Sequence, residues 1–180
     1  MSLALKRARE VSIGNKIILA FGMAVLTGIL AQVKLFLPFT PVPVTCQTFA
    51  ALLAGVALGR YWGGISQIIY VSLFAGFGAI MGPTGGYLLG FILAALFVGH
   101  VTDKYGAAKG FYQMLCVMAF ANFILIYVPG IIQLNIWLYL FKGESSNFSQ
   151  LIYAGVAPFI IGDTIKIISA ALIARAVIPK

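Results

Sequence analysis

From residue 16 to residue 37 the chain reads KIILAFGMAVLTGILAQVKLFL, and between its two end residues the one charge is Lys34. A helix needs about 20 mainly apolar residues to cross hydrocarbon, and helices suit that medium because they bond their own backbone groups internally. Five further segments of this character follow at 45–59, 63–81, 85–102, 110–128 and 157–177, delimited by Gly, Pro and charge. The segment 45–59 is short for a crossing and is expected to tilt little or to pack inside the bundle. The runs are too long and alternate too weakly for an outer-membrane barrel. Composition agrees, with 62% hydrophobic and 9% charged residues and a mean hydropathy of +1.05, whereas soluble domains carry about 25% charged residues. The expectation is an all-α polytopic membrane protein with six transmembrane helices in one domain, 16–180, preceded by a retained cytoplasmic tail, 1–15.

A net charge of +8 would suggest a nucleic-acid partner in a soluble protein. Here the positive-inside rule accounts for it without nucleic acid. With the N-terminus inside, Lys6, Arg7, Arg9, Lys16, Arg60, Lys104, Lys109, Arg175 and Lys180 fall at the cytoplasmic face, and only Lys34 and Lys142 fall outside. That asymmetry predicts six spans with both termini cytoplasmic. The stretch 129–153 is left with three readings: the frayed end of the fifth helix, an interfacial helix with Trp137 and Tyr139 at headgroup level, or external loop. Cys46 and Cys116 sit in apolar stretches and read as small buried packing groups.

The sixth segment, APFIIGDTIKIISAALIARAV, contains Asp163 and Lys166. Each charge at the centre of a membrane helix costs roughly 2.5–3.5 kcal/mol, so both need a reason. Running from outside to inside, this helix puts Asp163 about 9 Å and Lys166 about 13 Å below Ala157, in the outer half of the membrane and on one helix face. One reading is an ion pair that fixes helix packing. The other is a site for a small ligand with both donors and acceptors, which Gly162 would let approach closely.

Other polar groups are predicted near the same face. In LPFTPVPVTCQTF, three prolines stiffen the link between the first two segments, and Thr45 and Gln47 follow at the top of the second. GPTGGYLLGF, from Gly82, is either a turn with helix packing or a device that brings the N–H groups of Gly85 and Gly86 and the Tyr87 ring toward an outer cavity. No Lys-Ser or Lys-Thr follows these glycines, which excludes a Walker phosphate loop. Ala20, Ala24 and Gly28, spaced by four, form a docking stripe toward another helix of the bundle or another protein.

Enzyme readings find no catalytic set. The only His, His100, is at the predicted cytoplasmic end, opposite Asp163, and the only other Asp, Asp103, lies in a cytoplasmic loop. This argues against a Ser-His or paired-Asp protease and against a metal site. No cofactor is expected.

Three stretches together, PVPVTCQTFAALLAGVALG, GPTGGYLLGF and PFIIGDTIKIISAA, resemble the BioY family, the biotin-binding membrane subunits (S-components) of energy-coupling-factor (ECF) transporters. The resemblance implies a six-helix plasma-membrane subunit that captures biotin at its outer face. It also implies partnership with a transmembrane coupling protein and paired ABC-type ATPases. On it, Asp163 and Lys166 match a GD-x-x-K pattern associated with the ligand's polar ring, and Ala20, Ala24 and Gly28 match a docking face on helix one. Thr45, Gln47, Gly86 and Tyr87 complete the expected substrate site. The stretch YVSLFAGFGAIMG, from Tyr70, departs from the family's longer, proline-containing outer loop. The competing readings are an S-component for thiamine or riboflavin and a structural membrane subunit whose ion pair orders the bundle.

Overall fold

The computed structural model describes residues 12–105, 110–143 and 147–177. Lys6, Arg7, Arg9, Lys109 and Lys180 lie outside the described residues, as does most of the basic tail. Helices dominate. Helix α1 (Ile13–Leu30) starts at Ser12, whose hydroxyl accepts the backbone N–H of Asn15 at 3.4 Å. It ends seven residues before the predicted boundary at 37. Residues Lys34–Leu35 (β1) instead pair antiparallel with Val44–Thr45 (β2), Lys34 opposite Thr45 and Leu35 opposite Val44. The prolines between them cannot continue a helix, and the short ladder bonds backbone groups that would otherwise stand open.

Helix α2 (Gln47–Ile69) breaks at Gly59, where φ is 76° and ψ −175°. L side chains rarely take that conformation, and here the chain folds back on itself. A Cβ on Gly63 would lie 2.8 Å from the Ala54 carbonyl oxygen and 2.9 Å from the Gly55 Cα. In a straight helix residues nine apart are separated by about 13.5 Å, so the two predicted segments 45–59 and 63–81 are two packed arms. The second arm runs into a π-helical turn, Tyr70–Phe74, and the short α3 (Phe77–Met81).

Helix α4 (Gly85–Tyr105) packs on both arms, and Gly55 lets it approach: a Cβ there would sit 2.6 Å from the Ala95 carbonyl oxygen. At the same end Asp103 Oδ2 accepts the Arg60 N–H at 2.8 Å, capping the second arm where it leaves Gly59.

The fifth segment does not stop at 128. Helix α5 (Phe111–Phe120) passes through a π-helical turn, Ala121–Ile126, into α6 (Tyr127–Trp137) and a further π turn, Leu138–Lys142. Pro129 would interrupt a regular α-helix by withholding an N–H and crowding the carbonyl four residues back; the π turn just ahead of it loosens that geometry and the rod continues. Most of 129–142 is therefore helix. Helix α7 (Phe148–Gly155) follows, begun by an Asn147–Gln150 capping box, and meets α8 (Ile160–Val177) at a 51° bend.

Ile13–Leu30, Gly85–Tyr105 and Phe111–Phe141 are each long and apolar enough to cross a membrane, and α7 with α8 passes as a bent pair. The polarity is inverted relative to a soluble domain. Gln67, Ser66 and Asn122 are 0% exposed, whereas Ile18 is 68% and Ile161 77% exposed. Only hydrocarbon makes that exterior favourable, so this is an integral membrane protein. Cys116 faces outward and Cys46 is half-buried, so neither belongs to the fully buried core expected from the sequence.

The Gly59 fold-back yields a direct test. Gly59→Ala adds a Cβ against the Asp103 carboxylate in a conformation closed to L residues. It is expected to cost about 1–3 kcal/mol, seen as a lower thermal unfolding midpoint in detergent, while Gly22→Ala, facing open space on α1, stays within the range of ordinary exposed substitutions.

Candidate functional site

The site assembles where three helix starts converge. The link after β2 delivers Thr45, Gln47 and Thr48 at the beginning of α2, the first turn of α4 delivers Tyr87, and the first turns of α8 deliver Asp163 and Lys166. Their spacing of three places the last two on one face, and Lys166 Nζ donates to Asp163 Oδ1 at 2.6 Å.

Asp163 is 2% exposed and fully engaged. Besides Lys166, Oδ1 accepts the Thr48 hydroxyl at 3.3 Å, while Oδ2 accepts the Asn122 amide at 2.9 Å and the Tyr127 hydroxyl at 2.8 Å. Four donors around a buried carboxylate offset the loss of its hydration, which one ion pair alone would not do. Lys166 also donates to the Thr45 carbonyl oxygen at 2.5 Å, which leaves one of its three N–H groups without a partner among the described residues.

Asp163 and Lys166 border a partly open hollow of about 50 Å³. Thr45, Gln47, Thr48 and Thr84 supply polar lining, and Tyr87, Phe91 and Phe159 supply aromatic walls. Tyr87 is fixed by donating its hydroxyl to the Gly155 carbonyl oxygen at 2.8 Å, which ties α4 to the end of α7. Gln47 accepts the Thr45 hydroxyl at 2.7 Å and donates to the Tyr70 hydroxyl. Both amide ends are thus satisfied within the protein, yet the side chain still borders the hollow. The arrangement suits a small molecule with a polar head and an apolar body: the spare Lys166 N–H meets an acceptor, hydroxyl and amide oxygens meet donors, and aromatic rings meet the rest.

Of the residues singled out in the sequence, the fold brings Thr45, Gln47, Tyr87, Asp163 and Lys166 together around this hollow. Gly86 is placed elsewhere. It is buried against Pro129 and Gln133 of α6, where its missing side chain permits close helix packing. In the stripe Ala20, Ala24 and Gly28, Ala20 and Ala24 are buried inside the chain's own bundle and a Cβ on Gly28 would meet the Phe74 side chain, a close contact toward another part of the same bundle. The sequence reading missed Thr48, Asn122, Tyr127 and Phe159. Asn122 carried a legible signal, an amide in the middle of an apolar segment; Tyr127 and Phe159 carried none, being aromatic residues among many.

The BioY family model matches residues 5–180. A probable biotin transporter BioY of Methanothermobacter thermautotrophicus is 46% identical over 139 residues, covering 71% of this chain and 88% of that protein. The biotin transporter BioY of Thermotoga maritima is 35% identical over 149 residues, covering 77% and 82%. Among solved structures, the S-component for biotin from an ECF-type ABC transporter superposes with a TM-score of 0.78 at 23% identity, covering 98% of this chain and 93% of that one.

The buried pair predicts a non-additive stability pattern. Asp163→Leu strands the Lys166 charge and is expected to cost about 3–5 kcal/mol. The double replacement Asp163→Leu with Lys166→Met removes both charges and recovers much of that loss, as read from thermal unfolding midpoints of the two purified variants.

Proposed function

The chain belongs to the BioY family, and from that premise we propose that it is the biotin-capturing membrane subunit of a biotin uptake system, a transport protein and not an enzyme. The observation that carries the reading is the hollow itself. Biotin's ureido ring has one carbonyl acceptor and two N–H donors, and its thioether ring and valeryl chain are apolar. Lys166 offers a donor to the carbonyl, the lining residues Thr48 and Gln47 carry oxygens with acceptor capacity left, and Tyr87, Phe91 and Phe159 wall the remainder. The relatives named above as biotin transporters support the same substrate.

In this reading the bundle crosses the cell membrane six times, by α1, the two arms of α2, α4, the α5–α6 rod and the bent α7–α8 pair, with both termini cytoplasmic. The internal geometry supports a hollow at the outer face. Arg60 and Asp103 meet, so with Lys104 they mark one end of the bundle. Gln47 lies 12 residues before Gly59 and Gly85 lies 18 before Asp103, which puts the site at the other end. Arg175 lies 12 residues after Asp163 on α8, again toward the basic end. Energy comes from a transmembrane coupling protein and paired ABC-type ATPases.

Equilibrium binding of labelled biotin to the purified protein tests the assignment. Lys166→Ala is expected to weaken binding about tenfold to a hundredfold, the worth of a hydrogen bond to a charged donor, and Asp163→Asn to weaken it as well. An excess of thiamine or riboflavin leaves the bound label in place. Equal affinity in all three proteins would remove these residues from the site, and displacement by either other vitamin would reassign the substrate.

A further inference from the structure

Asn122 and Tyr127 stand five residues apart on one helical rod, yet both donate to the same oxygen, Asp163 Oδ2. On a regular α-helix residues five apart point about 140° away from each other. The π-helical turn Ala121–Ile126 removes that divergence by wrapping an extra residue into the turn. A local departure from α-helix is therefore what lets one rod hold a carboxylate on another from two directions.

Neither residue lines the hollow. Asn122 is 0% and Tyr127 4% exposed. The Asn122 Oδ1 has no hydrogen-bond partner among the described residues. The buried Gln67 Oε1 shares that state, so the orphan oxygen marks no ligand role by itself; what orients the Asn122 amide is its bond to Asp163. Tyr127 reaches the hollow indirectly in a second way, with its ring edge-on to Tyr87 at 6.4 Å and to Phe159 at 6.5 Å, both wall residues.

Building on the biotin reading, we infer that Asn122 and Tyr127 are positioning residues for ligand capture: by holding Oδ2 they keep Oδ1 facing Lys166, and so set where the Lys166 ammonium is presented to the hollow. Capture affinity then depends on the winding of the α5–α6 rod, which does not itself border the ligand space. Thr48 steadies the same carboxylate from α2, so the three elements share control of one charged group.

Two readouts test this. Biotin affinity is measured for Tyr127→Phe, Asn122→Leu and, as a control, Tyr139→Phe, an exposed tyrosine farther along the same rod. The carboxylate stretching bands are recorded in the absence of ligand by infrared spectroscopy, which is tractable because the chain has only four side-chain carboxyls, Glu10, Asp103, Glu144 and Asp163. The component lost in Asp163→Asn identifies the residue. Tyr127→Phe and Asn122→Leu are each expected to shift that component, leave the amide bands unchanged, and weaken biotin binding about tenfold or more; Tyr139→Phe changes neither readout. Undiminished biotin affinity in Tyr127→Phe overturns the inference, as does weakened binding with an unmoved Asp163 band, which would assign Tyr127 to wall packing. Tyr127→Phe deletes a single oxygen and carries the test if Asn122→Leu does not fold. Should the wild-type protein itself not hold biotin while the Asp163 band still shifts in the variants, the substrate assignment fails and the hold on the carboxylate stands.

Discussion

A carboxylate buried in a membrane bundle has to be solvated by something, and in this protein the solvent is the protein. Asp163 gathers donors from α2, the α5–α6 rod and its own helix. No single one of these bonds would hold it there. Together they make the position of one charged group the point on which several helices must agree, since moving any of them leaves a buried charge short of a partner. The hollow beside it inherits that order: Lys166 is fixed by Asp163 and by the Thr45 carbonyl oxygen, and its remaining N–H is what the space can offer an incoming polar group.

Two departures from regular helix make this agreement possible. Gly59 turns α2 back on itself and lets α4 cross both arms at backbone contact distance, which brings the starts of α2 and α4 to one end. The π turn at Ala121–Ile126 redirects the rod that carries Asn122 and Tyr127. One is a sharp reversal that needs glycine, the other a slight unwinding that any sequence can adopt when tertiary contacts repay it. Both cost intrinsic helix stability, and the contacts at Asp163 and along α4 offset that cost.

Asp163 and Lys166 bond each other, as the packing reading expects, and they also line the hollow that the ligand reading proposes. These roles are compatible because a rigid, internally neutral pair keeps its geometry with the hollow empty. Pre-positioned groups bind a ligand without first having to be ordered, which favours affinity.

Hydropathy, the Gly-and-Pro punctuation and the two intramembrane charges at a spacing of three were enough to identify a helical membrane protein with Asp163 and Lys166 on one face, because these are local properties of the chain in hydrocarbon. Thr45, Gln47 and Tyr87 were legible too, as polar or amphipathic groups at helix starts. What surrounds Asp163 was not, since Thr48, Asn122 and Tyr127 lie 36 to 115 residues away from it and meet it only through packing. The same holds for the Ala20, Ala24 stripe: its spacing marks a close helix contact, but only the assembled bundle decides that the contact faces inward. Local pattern specifies which groups a helix carries and on which side; the partner of each group, and the continuation of a helix through Pro129, depend on energies shared between distant segments.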